Sequence, residues 1–368
     1  MTTENSTEQS DLLYHTVMQR DENEIRALID AGAEVNITDI EDTTALFHAV
    51  QRSNNDSAVR ALIDAGADVN NTQYDGKTVS FHAVQQSNNE SVVRALIDAG
   101  ADVNNTDDDG QTALFHAVQQ SNNESVVRAL IDAGADVNIT RGDEQTALFD
   151  AVQQSNNESV VRALIDAGAD VNITDKYREK TALIYAVQQS NNEIVVRSLI
   201  DAGADVNKTD NYGQTALFFA VHVSNNESVA RALIDAGTDI NITDEEDRTA
   251  LFYAVQHRNE SVVRALIDAG TDVNITDSED RAALCYAVQR SNNESVVRAL
   301  IDAAADVNNT DEDGKTALFF AVQQSNNESV VRALINASAD VNMTRGDEQT
   351  ALFDAVQQSN NESVKGQS

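Results

Sequence analysis

The sequence predicts an all-α solenoid of stacked helix–turn–helix units joined by short hairpin-like turns. Three observations carry that expectation. One unit recurs along the chain, opening at Asp11, Thr44, Thr78, Thr112, Thr146, Thr181, Thr215, Thr249, Ala282, Thr316 and Thr350, at spacings of 33 to 35 residues. Each unit holds two stretches with apolar residues at helical spacing, followed by a polar connection. The 368 residues include no Trp and no Pro, and aromatics are 5%, so small side chains repeated along the chain must supply the packing.

The unit from Thr112 shows the elements in order. In TALFHAVQQ, Leu114, Ala117 and Val118 share a helical face and Thr112 is placed as an N-cap. After SNN comes ESVVRALIDAG, where Val127, Leu130 and Ile131 share a face, Ser121 and Glu124 are spaced as a capping box, and Gly134 is placed as a left-handed stop. ADVNNTDDDGQ has no helical period but is rich in Asn, Asp and Gly, so it reads as an extended connection ending in a turn. Helices this short do not persist alone in water, so stability must come from stacking one unit on the next.

The organisation follows: a polar tail at 1–10, ten stacked repeats over 11–349, and a partial repeat at 350–368. Residues 140–160 and 344–364 are the same 21-residue string, TRGDEQTALFDAVQQSNNESV, which points to duplication of a block of repeats. The stop position filled by Gly134 is taken by Ala304 and Ser338 near the C-terminal end.

The period, the Thr-x-Leu start, the Val-x-x-Leu-Ile second helix and Gly-Ala-Asp-Val-Asn before the turn together resemble the ankyrin repeat. The resemblance covers Asp11 to about Val364. It implies L-shaped units, paired antiparallel helices behind a row of hairpins, and a concave face made by hairpin tips and the first helices. It also implies a function in binding other proteins as a scaffold or adaptor. Where the family has Thr-Pro-Leu-His, this chain has TALF. Ala113 therefore stands for Pro, and a column of Phe47, Phe81, Phe115, Phe149, Phe218, Phe252, Phe319 and Phe353 replaces a polar residue with an apolar seam. LIDAGADVN, as at Leu130 to Asn138, is similar to the pattern that asparaginyl hydroxylases modify in this family, which makes Asn138 a candidate for hydroxylation; the alternative is a purely structural Asn.

Charge and composition narrow the function. With 61 acidic against 25 basic residues the net charge is −36, which disfavours nucleic acid and anionic membranes; it either steers in a partner with a basic surface or simply keeps a long repetitive chain soluble. The single cysteine, Cys285, excludes an internal disulfide and a Cys-based metal cluster, and fits a cytoplasmic or nuclear monomer. No catalytic constellation or phosphate loop rises above the repeat background, so the chain reads as a non-enzyme with no cofactor. Asp107, Asp108, Asp109 and Gly110 lack the ligand spacing of a calcium loop. Arg141-Gly142-Asp143 and Arg345-Gly346-Asp347 form an integrin-type tripeptide at expected tips, and sequons recur, including Asn123 and Asn138; both read as chance copied by duplication.

Two sets of positions vary while the rest stays nearly fixed, and internal variation on a rigid frame marks candidate binding residues. The first set is the tips: Tyr74, Asp108, Arg141, Tyr177, Arg178, Tyr212, Glu245 and Glu312. The second is a stripe on the first helices: His15, His48, His82, His116, Asp150, Tyr185, Phe219, Tyr253, Tyr286, Phe320 and Asp354. The stripe is either a recognition surface rich in aromatics or a set of side chains leaning on the next unit. It is not expected to bind metal, because helices about 8–10 Å apart keep neighbouring imidazoles from one ion. Two rival readings are the repeat region of a larger enzyme or ubiquitin-ligase subunit, and a passive acidic spacer.

Overall fold

A computed structural model describes residues 12–19, 22–39, 43–51, 56–87, 89–120, 124–153, 158–190, 192–291, 293–323 and 328–357. The tail at 1–10, Ser121 and Asn123 lie outside them. The chain divides into two units, Met1–Tyr177 and Arg178–Ser368. In the first, helices pair as 12–19 with Glu22–Asp30, Ala45–Gln51 with Asp56–Asp64, Val79–Ser87 with Glu90–Asp98, Ala113–Gln119 with Glu124–Asp132, and Ala147–Gln153 with Glu158–Asp166. In the second the same pairing runs from Ala182–Tyr185 with Glu193–Asp201 to Ala317–Gln323 with Glu328–Asn336, and 351–357 is again helical. Among the described residues the connections form isolated bridges, such as Thr72 with Thr78 and Thr310 with Thr316, but no longer strand.

Burial explains why such short helices hold. Ala113, Leu114, Phe115, Ala117 and Val118 are buried in the first helix of one repeat, and Val126, Val127, Ala129 and Leu130 in its second. Ile131, expected on that face, stays half-exposed. The Phe column is buried from Phe47 to Phe319, as its apolar replacement of a polar residue implies. Phe353 is 45% exposed, because no described repeat packs on its far side. Four of the buried Phe rings meet the stripe ring of the next repeat edge-on: Phe47 with His82 at 5.5 Å, Phe81 with His116 at 5.4 Å, Phe218 with Tyr253 at 5.4 Å and Phe252 with Tyr286 at 5.4 Å between ring centres.

The capping chemistry differs from expectation at the helix starts. Thr112 has the extended backbone of an N-cap, yet its hydroxyl makes no capping bond, and the equivalent hydroxyls of Thr44, Thr78, Thr146 and Thr249 are buried without a partner. Thr181 does cap, accepting from Ile184 N–H at 3.4 Å. At the second helix the cap is the Asn just before the Glu rather than the Ser of the expected box. Asn226 Oδ1 accepts from Ser228 and Val229 N–H, while Ser224, equivalent to Ser121, donates to the carbonyls of Val187 and Phe219. Asn allows a tighter entry, since its oxygen reaches the first free N–H groups without a further turn of chain. In the repeats from Thr181 and Ala282 the first helix ends in a π turn, at Ala186–Ser190 and Ala287–Ser291.

The stop is the one the sequence implies. Gly134 has φ +88°, its N–H bonds Ile131 O at 2.9 Å and Ala135 N–H bonds Leu130 O at 3.0 Å, the Schellman pattern. Ala304 and Ser338 keep the same bonds with φ of 65° and 69°, where a Cβ crowds the carbonyl. Ala304→Gly and Ser338→Gly should each stabilise the chain by about 1 kcal/mol, read as a raised denaturation midpoint. In the parent chain the repeats holding Ala304 and Ser338 should exchange their amide hydrogens first; uniform protection across the repeats would contradict this.

Candidate functional site

The hairpins are tied to one another along each unit, which fixes where their tips point. Asp108 N–H bonds Asp75 O at 3.1 Å, Lys176 N–H bonds Asp143 O at 2.9 Å, and Glu245 N–H bonds Tyr212 O at 3.2 Å. A tip glycine permits the approach: a Cβ on Gly213 would lie 3.0 Å from Thr243 O. Behind the tips runs an asparagine ladder. Asn138 Nδ2 donates to Gly168 O at 3.1 Å while its Oδ1 accepts from Asp170 N–H at 2.7 Å, and Asn70 and Asn104 do the same one repeat apart. Asn138 is therefore a structural tie at its amide.

The stripe is tied to the residue that opens each hairpin, of which only Arg141 was among the tip candidates, and this is what sequence reasoning missed. The residue opening the hairpin and the stripe residue nine positions later bond as a pair: Asp39 with His48 at 2.9 Å, Gln73 with His82 at 2.7 Å, Asp107 with His116 at 3.4 Å, Asp244 with Tyr253 at 2.5 Å and Asp277 with Tyr286 at 2.7 Å. Where Arg141 opens the hairpin the stripe changes to Asp150, bonded at 2.9 Å, and Arg345 with Asp354 repeats the exchange at 3.0 Å. The co-variation at a fixed offset was the available signal. In the acidic hairpins one carboxylate serves twice: Asp107 Oδ1 accepts from Asp109 and Gln111 N–H, shaping the turn, while Oδ2 faces His116. The repeats from Thr215 and Thr316, with Phe219 and Phe320 on the stripe, are exceptions. Phe219 cannot bond, Asp210 Oδ2 is buried without a hydrogen-bond partner, and the Lys180 ammonium lies 4.0 Å from it and over the Phe219 ring at 4.2 Å.

These contacts decide what the candidates present. Phe219, Tyr253, Tyr286, Phe320 and Asp150 are buried, with exposures of 3% to 9%, so the stripe is largely framework rather than an open recognition surface. For Tyr253 and Tyr286 the cause is the stacking of the ring on the preceding repeat's Phe together with the bond to its own hairpin Asp. His48, His82, His116 and Tyr185 are half-buried. Arg141 is not displayed at a tip either: its guanidinium bonds Asp143, Asp150 and Gln145 Oε1, so the Arg-Gly-Asp tripeptide is closed on itself. The tips that do reach solvent are Tyr74, 97% exposed, Tyr177, 70%, and Tyr212, 48%, with Arg178, Asp108, Glu245 and Glu312 also exposed. Burial pushes the Cys285 thiol up to about 12, so it is an inert packing group.

Among the described residues no helix is long and apolar enough to cross a membrane. The family model for ankyrin repeats, three copies long, matches residues 2–73, 53–141, 80–175, 148–244, 196–277, 223–311 and 284–366. Of solved structures, the ankyrin repeat domain of Bcl-3, a member of the IkappaB protein family, is similar at 31% identity and a TM-score of 0.52, over 58% of this chain and 95% of that one. The human ASB11 ankyrin repeat domain is similar at 24% identity and a TM-score of 0.50, over 61% and 96%, a likeness of fold. No curated protein matches the chain.

His82 and His116 are held below their ordinary 6.5, because burial disfavours the cation more than nearby carboxylates favour it. His82 Nδ1 is buried without a partner, so a proton added there would be an unpaired donor. In the unfolded chain both groups protonate near 6.5, whereas the fold resists. Their contribution to stability is thus complete above that pH and is lost as pH falls from 6.5 through the lowered folded values. Urea midpoints should drop over that window, and the double variant His82→Gln, His116→Gln should show a shallower drop; identical slopes would contradict the assignment.

Proposed function

We propose a protein-binding function on a premise the matches establish: the chain belongs to the ankyrin-repeat family, whose repeats are generally protein–protein interaction modules and typically non-catalytic. On this reading the protein is a monomeric, non-enzymatic scaffold or adaptor of a reducing compartment. It holds another protein against its hairpin tips. The observation that carries the reading is the exposure of Tyr74, Tyr177 and Tyr212 on hairpins that the frame holds in place. An aromatic ring kept in solvent on a hairpin with a tied backbone is a ready anchor, because the chain beneath it need not be ordered on binding.

The partner's chemistry follows from what surrounds those rings. Asp108, Glu245 and Glu312 are exposed on other tips and the whole chain carries −36, so a partner with basic side chains around an apolar pocket is steered in and held. Half-buried His48, His82, His116 and Tyr185 add only part of their surface.

The test is capture from native lysate on the tagged chain at moderate salt. Tyr74→Ala, Tyr177→Ala and Tyr212→Ala together should abolish retention of a partner that the parent chain keeps, with unchanged helical circular dichroism. Arg94→Ala and Arg128→Ala, on the exposed faces of second helices, should leave retention intact. Retention unaffected by the tyrosine changes, or equal loss in both sets, would rule the tips out as the contact surface.

A further inference from the structure

The repeats are near-copies, so a departure in one repeat is informative when it meets a departure in the next. The first helices end in paired glutamines, such as Gln119 and Gln120. In the frame, Gln85, Gln119 and Gln323 reach the next repeat's stripe, bonding His116, Asp150 and Asp354. The repeat from Thr215 carries His222 at the first of these glutamine positions, and the repeat from Thr249 carries His257 at the second. The two meet: His222 Nδ1 lies 3.1 Å from His257 Nε2, with the rings tilted by 48°.

Both imidazoles are placed from beneath and open above. His222 rests against the Tyr253 ring at 4.5 Å, and that ring is fixed by its hydroxyl bond to Asp244. His257 is the C-cap of Ala250–Gln256, its N–H bonded to Tyr253 O at 2.9 Å, while Arg258 N–H bonds Val255 O at 3.1 Å. Its repeat has the shortened link QHRNE, in which Arg258 turns left-handed at φ 58°, so His257 ends a helix instead of starting a longer loop. Both side chains belong to exposed residues.

We propose that His222 and His257 form a two-imidazole site for a borderline divalent cation of the zinc, nickel or copper class. Two nitrogens 3.1 Å apart, each about 2.1 Å from one ion, subtend roughly 95° at it, which lies between square-planar and tetrahedral requirements. In the empty pair one ring donates its N–H to the other. An ion takes the place of that proton and accepts both lone pairs, leaving protons on His222 Nε2 and His257 Nδ1. Exposed side chains are free to make the rotation that this needs. Water completes the coordination, since among the described residues no group of three or more His, Cys, Asp or Glu side chains is arranged to hold a metal. The pair sits off the stripe, so the spacing that keeps stripe imidazoles apart does not apply to it. An ion held by two neighbouring repeats also clasps them, and so favours the folded state.

The experiment is calorimetric titration of Zn²⁺ into the full chain with Mg²⁺ in excess, because magnesium occupies carboxylates but not imidazoles. One saturable zinc site should appear, accompanied by a higher melting temperature. His222→Gln and His257→Gln restore the residue other repeats use, so they keep the fold while removing one ligand each. Each should weaken zinc binding by at least about tenfold, because the second ligand acts at high effective concentration. Zinc affinity unchanged in either variant, or no saturable binding in the presence of magnesium, would reduce the pair to a hydrogen bond and overturn the proposal.

Discussion

No repeat here can bury its own first helix, and everything else depends on that. Ala113, Leu114, Phe115, Ala117 and Val118 occupy nearly every face of a seven-residue helix, so the helix must have neighbours on both sides. Stacking then sets the register in which Phe81 meets His116, Asn104 bridges to Gly134 and Asp136, and Asp75 O receives Asp108 N–H. A hairpin tip is rigid because the repeat behind it and the repeat beside it are.

This constraint explains why some features were legible in the sequence and others were not. Periodicity, the Phe column and the left-handed stop at Gly134 are local or nearest-neighbour properties, and each leaves a residue-type signature. The exposure of the stripe is not local. Tyr253 and Tyr286 read as interface aromatics until the structure shows each lying on the preceding repeat's Phe and bonded to its own hairpin Asp. Arg141 reads as a displayed cation until Asp150 is placed beside it. Helix entry was misread because Ser and Asn both cap well, and which one does so depends on how the link is wound.

The pairing of hairpin and stripe changes how variation in this chain is understood. Positions that differ between repeats mark a binding surface only where they face solvent, and here much of the variation on the stripe is internal compensation. Asp with His, Asp with Tyr, Gln with His and Arg with Asp are alternative solutions to one problem, the linking of a turn to the helix beneath it. What remains for a partner is the smaller set at the tips, in which tyrosines stand among carboxylates.

The most direct test of this account is a double-mutant cycle at Arg141 and Asp150. Arg141→Asp alone sets two carboxylates against each other, and Asp150→His alone leaves the guanidinium facing an imidazole. The double substitution recreates the pairing of Asp107 with His116 found one repeat earlier. If hairpin and stripe form one complementary unit, unfolding measurements will show both single changes destabilising and the double recovering, with a coupling of about 1–3 kcal/mol. Strictly additive losses would mean the two positions are chosen independently, and the internal-pairing account would fail.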